Sequence, residues 1–126
     1  MIIRIEPKAD IPIYAQLTNQ IMEGIIRGEI NNGDMLPSVR ALAADLGINM
    51  HTVNKSYHEL EEKGILKIIP KSGAMIYVQK GLQAKEPCHK LIQQFRPAVI
   101  EALVLGMDEK EISMLVNQIS AEVKGE

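Results

Sequence analysis

Polar side chains recur at helical spacing within residues 46–64, which read LGINMHTVNKSYHELEEKG. His51, Asn54, Lys55 and His58 occupy positions i, i+3, i+4 and i+7, so a helix would place them on one face. Amide and imidazole groups can hydrogen-bond to base edges, and an ammonium group can bind guanine or phosphate. The pattern indicates a helix that reads DNA, although a solvated face without a ligand would show the same spacing.

The opposite face of this helix is predicted to be buried, because Val53, Tyr57 and Leu60 lie at i, i+4 and i+7. A shorter helix, SVRALAADLG, precedes it and has Ser38 as its predicted N-cap. A glycine ends that helix, and Asn49 supplies a second N-cap shortly afterwards. Two helices joined by a tight turn that contains glycine are typical of a helix-turn-helix.

The flanking segments predict a winged form of this motif. A longer helix should begin at Pro12, with an apolar residue at every fourth position from Ile13 to Ile25. The segment EINNGDMLPS reads as a turn. Farther along, ILKII and AMIYV are typical of strands, and Pro70 and Gly73 predict a turn between them. The expected fold is therefore mainly α with a small β-hairpin, a winged helix-turn-helix over residues 1–78.

Residues 79–126 are predicted to form a helical dimerisation tail behind the polar segment QKGLQAKEP. Pro97 should kink or split the first tail helix, and Asp108 with Glu111 resembles a capping box that opens the second. Two short helices cannot bury their apolar stripes alone, so a second copy of the chain is the expected partner. The residues predicted to form the dimer are Leu91, Phe95, Leu103, Ile112, Leu115, Val116, Ile119 and Val123.

Composition limits the location and the charge of the site. The 126-residue chain has a formal net charge of -2, so DNA binding would require a local patch of donors and cations. No apolar run approaches the roughly 18–20 residues that span a bilayer, and no signal peptide is recognisable. The lone Cys88 excludes an internal disulfide and suits a reducing compartment. We therefore expect a cytoplasmic protein without membrane contact.

Other kinds of chemistry fit the residues less well. His51 and His58 are seven apart, which is not the four-residue spacing of a helical metal pair. Cys88 and His89 are adjacent, and neighbours on a helix do not face each other. With no phosphate-binding glycine loop and no paired carboxylates, we expect no enzyme activity, metal or cofactor. Met50 is either core filler or a contact to a thymine methyl group.

The segment from Lys8 to Val78 resembles the DNA-binding domain of GntR-type bacterial transcription regulators. The motifs that carry the resemblance are PIY..Q, I..GEI..GD.LPSVR.LA..LG and TV.K.Y.ELE.KG. The resemblance implies that Arg40 reads a guanine and that the start of the third helix and a wing glycine approach the DNA. Including the two N-caps and the wing lysine, the residues predicted to contact DNA are Ser38, Arg40, Asn49, His51, Thr52, Asn54, Lys55, Lys71 and Gly73.

Two departures from the family pattern concern base preference and the wing. Many relatives carry arginine where this chain has Asn54, and many have a more basic wing than IIPKSG. The short tail is similar to that of the YtrA-like subfamily, in which two helices form the dimer. The resemblance implies a homodimeric regulator, a repressor in our interpretation, that binds an inverted-repeat operator in double-stranded DNA.

Two alternative functions remain open at the level of sequence. A winged helix can serve only as a protein–protein adaptor, with its third helix as the contact surface. A regulator of this kind can also sense a small molecule bound in the dimer cleft, and the sequence identifies no such effector.

Overall fold

The computed structural model describes residues 2–81 and 85–126 of the chain, and these divide into two units between Gln79 and Lys80. The first unit contains α1 (Ile13–Ile26), β1 (Met35–Leu36), α2 (Val39–Leu46), α3 (Met50–Glu62), β2 (Leu66–Ile69) and β3 (Gly73–Ile76). The second contains α4 (Lys85–Val104) and α5 (Glu109–Lys124). None of the helices in the described part of the chain is long and apolar enough to cross a membrane.

The helix-turn-helix starts where its capping residues predict. The Ser38 hydroxyl accepts a hydrogen bond from the backbone N–H of Ala41 at 3.2 Å, and the Asn49 side chain accepts one from the N–H of His51 at 2.7 Å. Each cap satisfies a donor that the first helical turn would otherwise leave unpaired. Gly47 ends α2 in the left-handed region with φ 67°. The tight turn of the predicted motif is confirmed.

The apolar stripes of α1 and α3 lie in one core, to which α2 and the three strands also contribute buried side chains. Val53, Tyr57 and Leu60 are fully buried, which confirms the predicted stripe of α3. Leu17 and Ile21 of α1 are also fully buried, whereas Ile13 and Ile25 at the two ends of its predicted stripe are partly buried. A polar pair also lies within this contact and was not predicted. The hydroxyls of Thr18 and Ser56 are 2.8 Å apart, and both side chains are buried. A paired hydroxyl in the core fixes the register of two helices, because sliding them would leave it unsatisfied.

Two glutamines of α1 bind the backbone of the N-terminal arm. Gln16 accepts a hydrogen bond from the N–H of Glu6 at 2.8 Å and donates to the carbonyl of the same residue at 3.0 Å. Gln20 makes the same pair of bonds with the backbone of Arg4, at 2.9 and 2.6 Å. Each amide side chain therefore pairs with the N–H and the C=O of one backbone residue, as a neighbouring β-strand would, since it offers both a donor and an acceptor.

The wing is a three-stranded antiparallel sheet with strand order β1-β3-β2. The hairpin of β2 and β3 was predicted, but β1 lies inside the segment that was interpreted as a turn. Leu36 pairs with Ala74 on one side of β3, and Ile68 pairs with Ala74 on the other. A two-residue strand has no periodicity of its own, so only its pairing partner reveals it.

Gly73 opens β3 at a point where the sheet leaves no room for a side chain. Its φ is +114°, and a Cβ at this position would lie 2.1 Å from the carbonyl oxygen of Leu36 and 2.9 Å from the backbone of Pro37. Both the torsion angle and the space require glycine. Gly73 is therefore explained by the packing of the wing, whether or not it also approaches DNA.

Two predictions about the tail concern Pro97 and the start of its second helix. Helix α4 continues through Pro97, so the helix is not split at this residue, and the kink stays a prediction. Asp108 and Glu111 form both bonds of the capping box, as predicted. Part of the predicted boundary segment, residues 82–84, lies outside the described residues.

Substitution of Gly73 by alanine should lower the free energy of unfolding by about 3 kcal/mol, the combined cost of overpacking and of a positive φ. Gly33 is the matched control, because its φ is +91° but an added Cβ would have nothing within 4 Å. Gly33→Ala should cost only about 1–2 kcal/mol. Urea unfolding of both variants measures the difference, and equal losses would contradict the proposed clash.

Candidate nucleic-acid interface

One face of α3 is exposed to solvent, and the opposite face is buried in the core. His51, Asn54, Lys55 and His58 are exposed, as predicted, and Thr52 is partly buried at the edge of their face. Because the apolar stripe anchors the helix along most of its length, this polar face is presented on a rigid element. Rigid presentation lowers the cost of ordering side chains when they bind.

Charge is distributed unevenly along α3. Lys55 lies in the middle of the helix, whereas Glu59, Glu61 and Glu62 lie near its C-terminal end. Glu59 pairs with Lys63 at 3.7 Å, and Glu61 accepts a hydrogen bond from the N–H of Ile68 at 2.8 Å. The N-terminal half of the helix is therefore the half that is electrostatically suited to DNA, despite the net negative charge of the chain.

The two predicted contacts at helix N-termini already have structural roles. Ser38 and Asn49 both accept backbone hydrogen bonds as caps, and each still carries donor hydrogens. These residues are therefore able to donate to a phosphate while they cap. The N-terminus of α3 adds a favourable dipole to such a contact.

Arg40 lies exposed in the first turn of α2, and a buried tyrosine ties this turn to α3. The hydroxyl of Tyr57, whose side chain is 0% exposed, donates to the carbonyl of Pro37 at 2.7 Å. Burial raises the pKa of Tyr57 from 10.0 to about 12. Since Pro37 immediately precedes the Ser38 cap, this partly buried hydrogen bond ties the start of α2, where Arg40 lies, to α3.

Lys55 has an aromatic neighbour that the sequence did not reveal. Its ammonium nitrogen lies 3.9 Å from the centroid of the Tyr14 ring, which belongs to α1. A cation at this distance over an aromatic face is attracted by the ring quadrupole. The contact joins residues 41 positions apart in the chain, so no local pattern could have indicated it.

The wing tip presents Lys71 on a strained backbone. Lys71 is exposed with φ 67°, and it is the one non-glycine residue with positive φ in the described part of the chain. The N–H of Ser72 donates to the carbonyl of Ile69 at 3.0 Å, with Pro70 as the next residue. This is the pattern of a type II turn, whose third position favours glycine. The predicted contact Lys71 is thus at the tip, whereas Gly73 is buried at its base.

Met50 is the first residue of α3 and is 37% exposed. It lies among the polar residues of the α3 face rather than in the core cluster. The core-filler interpretation therefore does not account for it, and the thymine contact stays a prediction.

The tail exposes most of the apolar residues that were predicted to form a dimer. Leu91, Phe95, Leu103, Leu115, Val116 and Ile119 are between 45% and 62% exposed. Ile112 and Val123 are partly buried, and none of the described tail residues is fully buried. The two helices do not bury these apolar side chains between themselves, and exposed apolar surface of this kind is typical of a protein–protein interface.

Cys88 and His89 belong to the same helix turn at the start of α4. Cys88 is exposed, and the ring of His89 lies 3.2 Å from the side-chain nitrogen of Gln93. Within residues 2–81 and 85–126, no three His, Cys, Asp or Glu side chains are grouped so that they could hold a metal ion.

Comparison with known families identifies the first unit. Residues 13–76 match the profile of the family described as bacterial regulatory proteins, gntR family. The chain belongs to the GntR family. Like its relatives, this GntR protein is a DNA-binding transcription regulator, as the helix-turn-helix and its free polar face indicate.

The similarity extends over the tail. The transcriptional repressor YtrA of Bacillus subtilis is 35% identical over 124 residues, which are 98% of this chain and 95% of that protein. The structure of YtrA from Sulfolobus acidocaldarius, a GntR-family transcription factor, has a TM-score of 0.67 and 35% identity, and the match covers 82% of this chain and 99% of that one. A transcriptional antiterminator from Listeria monocytogenes has a TM-score of 0.85 at 26% identity, and the match covers 100% and 95% of the two chains. The GntR winged-helix fold predicted from the motifs is confirmed.

The raised pKa of Tyr57 predicts a loss of stability in alkali. A tyrosine whose pKa is higher in the folded chain contributes stability that is complete below its unfolded pKa of 10.0 and is lost as the pH rises through about 12. Below pH 10, Tyr57→Phe should be less stable by about 1 kcal/mol, because the Pro37 carbonyl loses its donor. The difference between the two proteins should shrink and then change sign as the pH rises from 10 to 12 in urea titrations, because ionisation of Tyr57 in the unfolded chain outweighs the hydrogen bond. A constant difference would mean that Tyr57 ionises normally in the fold.

Proposed function

We propose that two copies of this chain bind an inverted-repeat operator and repress transcription. The observation that carries the proposal is the exposed polar face of α3, held in place by a stripe that is fully buried on the other side. The similarity to the YtrA repressor of Bacillus subtilis over 98% of the chain supports a repressor rather than an activator. Such a protein acts by occupying DNA, so we propose a cytoplasmic location and no enzyme activity.

The residues divide into those that read bases and those that bind the backbone. Arg40 can bind the O6 and N7 of guanine through two hydrogen bonds, and Asn54 can do the same for adenine. Lys55, Lys71 and the capping residue Ser38 suit phosphate contacts, which position the protein without specifying sequence. His51, Thr52 and Asn49 lie at the start of α3 and, with the backbone of Gly73 in the wing, complete the proposed contact set.

The tail supplies the proposed dimer contact. Its exposed apolar residues lie on both helices, and a second copy would bury them in a shared core. Because a two-fold axis relates two copies of the same surface, the operator half-sites should be inverted and about one helical turn apart, or a multiple of that distance. Linking two reading heads raises avidity by roughly 10²–10⁴ without a new base contact.

Binding to duplexes selected from genomic DNA tests the proposed function. If a dimer neutralises about six phosphates, the logarithm of the affinity should fall against the logarithm of salt concentration with a slope near -5.

In the same titrations, the Arg40→Ala protein should bind the native operator with a free energy weaker by about 1–3 kcal/mol. Its binding to an operator whose contacted G·C pairs are changed should be little weaker than that of the unmodified protein. Arg4→Ala is the matched control, because Arg4 is exposed beside Gln20 on α1 rather than on α2 or α3.

Two results would contradict this assignment. A protein that retains no duplex and shows no salt dependence would favour the adaptor function. An Arg40→Ala protein that loses equally on both duplexes would make Arg40 a phosphate contact rather than a base contact.

The dimer is tested by placing charge on the tail. Leu115→Asp with Ile119→Asp should give a monomer in sedimentation, because two carboxylates would be buried at the shared core. Ser113→Asp with Asn117→Asp is the control, since both residues are exposed and the same pair spacing adds the same charge to polar positions of α5. Circular dichroism should show the winged helix in both proteins. A double aspartate variant that remains dimeric would place the interface elsewhere.

A further inference from the structure

Lys55 is held in place before any ligand is present. Its ammonium nitrogen lies 3.9 Å from the centre of the Tyr14 ring, and the residue as a whole is exposed. Tyr14 itself is partly buried near the start of α1, so the ring is a firmer surface than a mobile side chain would be. A lysine on a solvated helix face would otherwise sample many rotamers.

The relative position of these two residues is set by a neighbouring core contact. Thr18 lies one turn beyond Tyr14 on α1, and Ser56 follows Lys55 on α3. The Thr18 hydroxyl donates to the Tyr14 carbonyl at 2.9 Å and lies 2.8 Å from the Ser56 hydroxyl. Because both hydroxyls are buried, the register of α1 against α3 brings the Tyr14 ring under Lys55.

We infer that Tyr14 is a positioning residue for DNA binding, acting through Lys55. The ammonium group has three donor hydrogens, and the ring occupies only one side of it. The other side can therefore meet a phosphate oxygen with the lysine already oriented. Pre-ordering a long side chain reduces the entropy lost on binding, so the stack strengthens a contact it does not itself make. The inference rests on the proposed role of Lys55 as a DNA contact.

The chain contains a second stack that serves as an internal control. The ammonium group of Lys67 lies 4.3 Å from the centre of the Tyr77 ring, with β2 supplying the lysine. Lys67 lies outside the predicted contact set. Removing the Tyr77 ring therefore removes a stack of the same kind without touching the proposed site.

Three single variants separate the ring from the hydroxyl. Tyr14→Leu should weaken binding of the dimer to its selected duplex by about 5- to 30-fold, because two lysine side chains, one in each copy, would then have to be ordered on binding. Tyr14→Phe keeps the ring and should bind within about 2-fold of the unmodified protein, since the quadrupole remains. Tyr77→Leu should leave binding unchanged. Thermal melting checks that each variant is folded.

Two further measurements test whether the effect passes through Lys55. In a Lys55→Gln background, Tyr14→Leu should cause no additional loss, as expected for two residues that act as one unit. In the free protein, the Lys55 side-chain proton resonances should be shifted upfield by the ring in the unmodified and Tyr14→Phe proteins, and unshifted in Tyr14→Leu.

Several outcomes would overturn the inference. Tyr14→Phe binding as weakly as Tyr14→Leu would make the hydroxyl a direct contact, and an equal loss in the Lys55→Gln background would make the role of Tyr14 structural. A Tyr77→Leu loss as large as that of Tyr14→Leu would mean that ring removal acts through the fold. If the unmodified protein binds duplex DNA and Tyr14→Leu binds equally well, only this inference fails. If the unmodified protein binds no duplex, the proposed function fails with it.

Discussion

The geometry of the DNA-binding unit depends on the short segment Leu36–Pro37, because both α3 and the wing contact its backbone. Tyr57 is fully buried, and its hydroxyl must find a partner inside the protein or lose the free energy of an unmade hydrogen bond. It finds the carbonyl of Pro37 at 2.7 Å. From the other side, Gly73 brings the backbone of β3 against the same segment. Because this segment leads directly into α2, a single junction sets the positions of both helices of the motif and the wing.

Features that depend on neighbours in the chain were predictable from the sequence. The N-caps of α2 and α3, the capping box of α5 and the buried stripe of α3 all follow from side-chain chemistry within a few residues. The family motifs extended that local analysis to the whole winged helix. The exposed face of α3 could also be predicted, because the burial of one face of a helix decides which residues remain on the other.

Features that depend on distant partners were not predictable in this way. The strand β1 exists only because β3 pairs with it, and Gln16 acts as a strand neighbour only because the N-terminal arm passes beside it. The stack of Lys55 on Tyr14 likewise needs the register of α1 against α3. In each case the deciding interaction joins residues that no short window contains.

The positive φ of Lys71 has a consequence for how this protein can evolve or be engineered. Glycine at the third position of the turn would relieve the backbone, so a search for higher melting temperature would be drawn to this position. Replacing Lys71 by glycine would also remove the positive charge at the tip of the wing, which is the charge proposed to contact the operator. Stability and operator affinity therefore compete for one residue, and a thermostabilised version of this regulator would have to leave the strain in place.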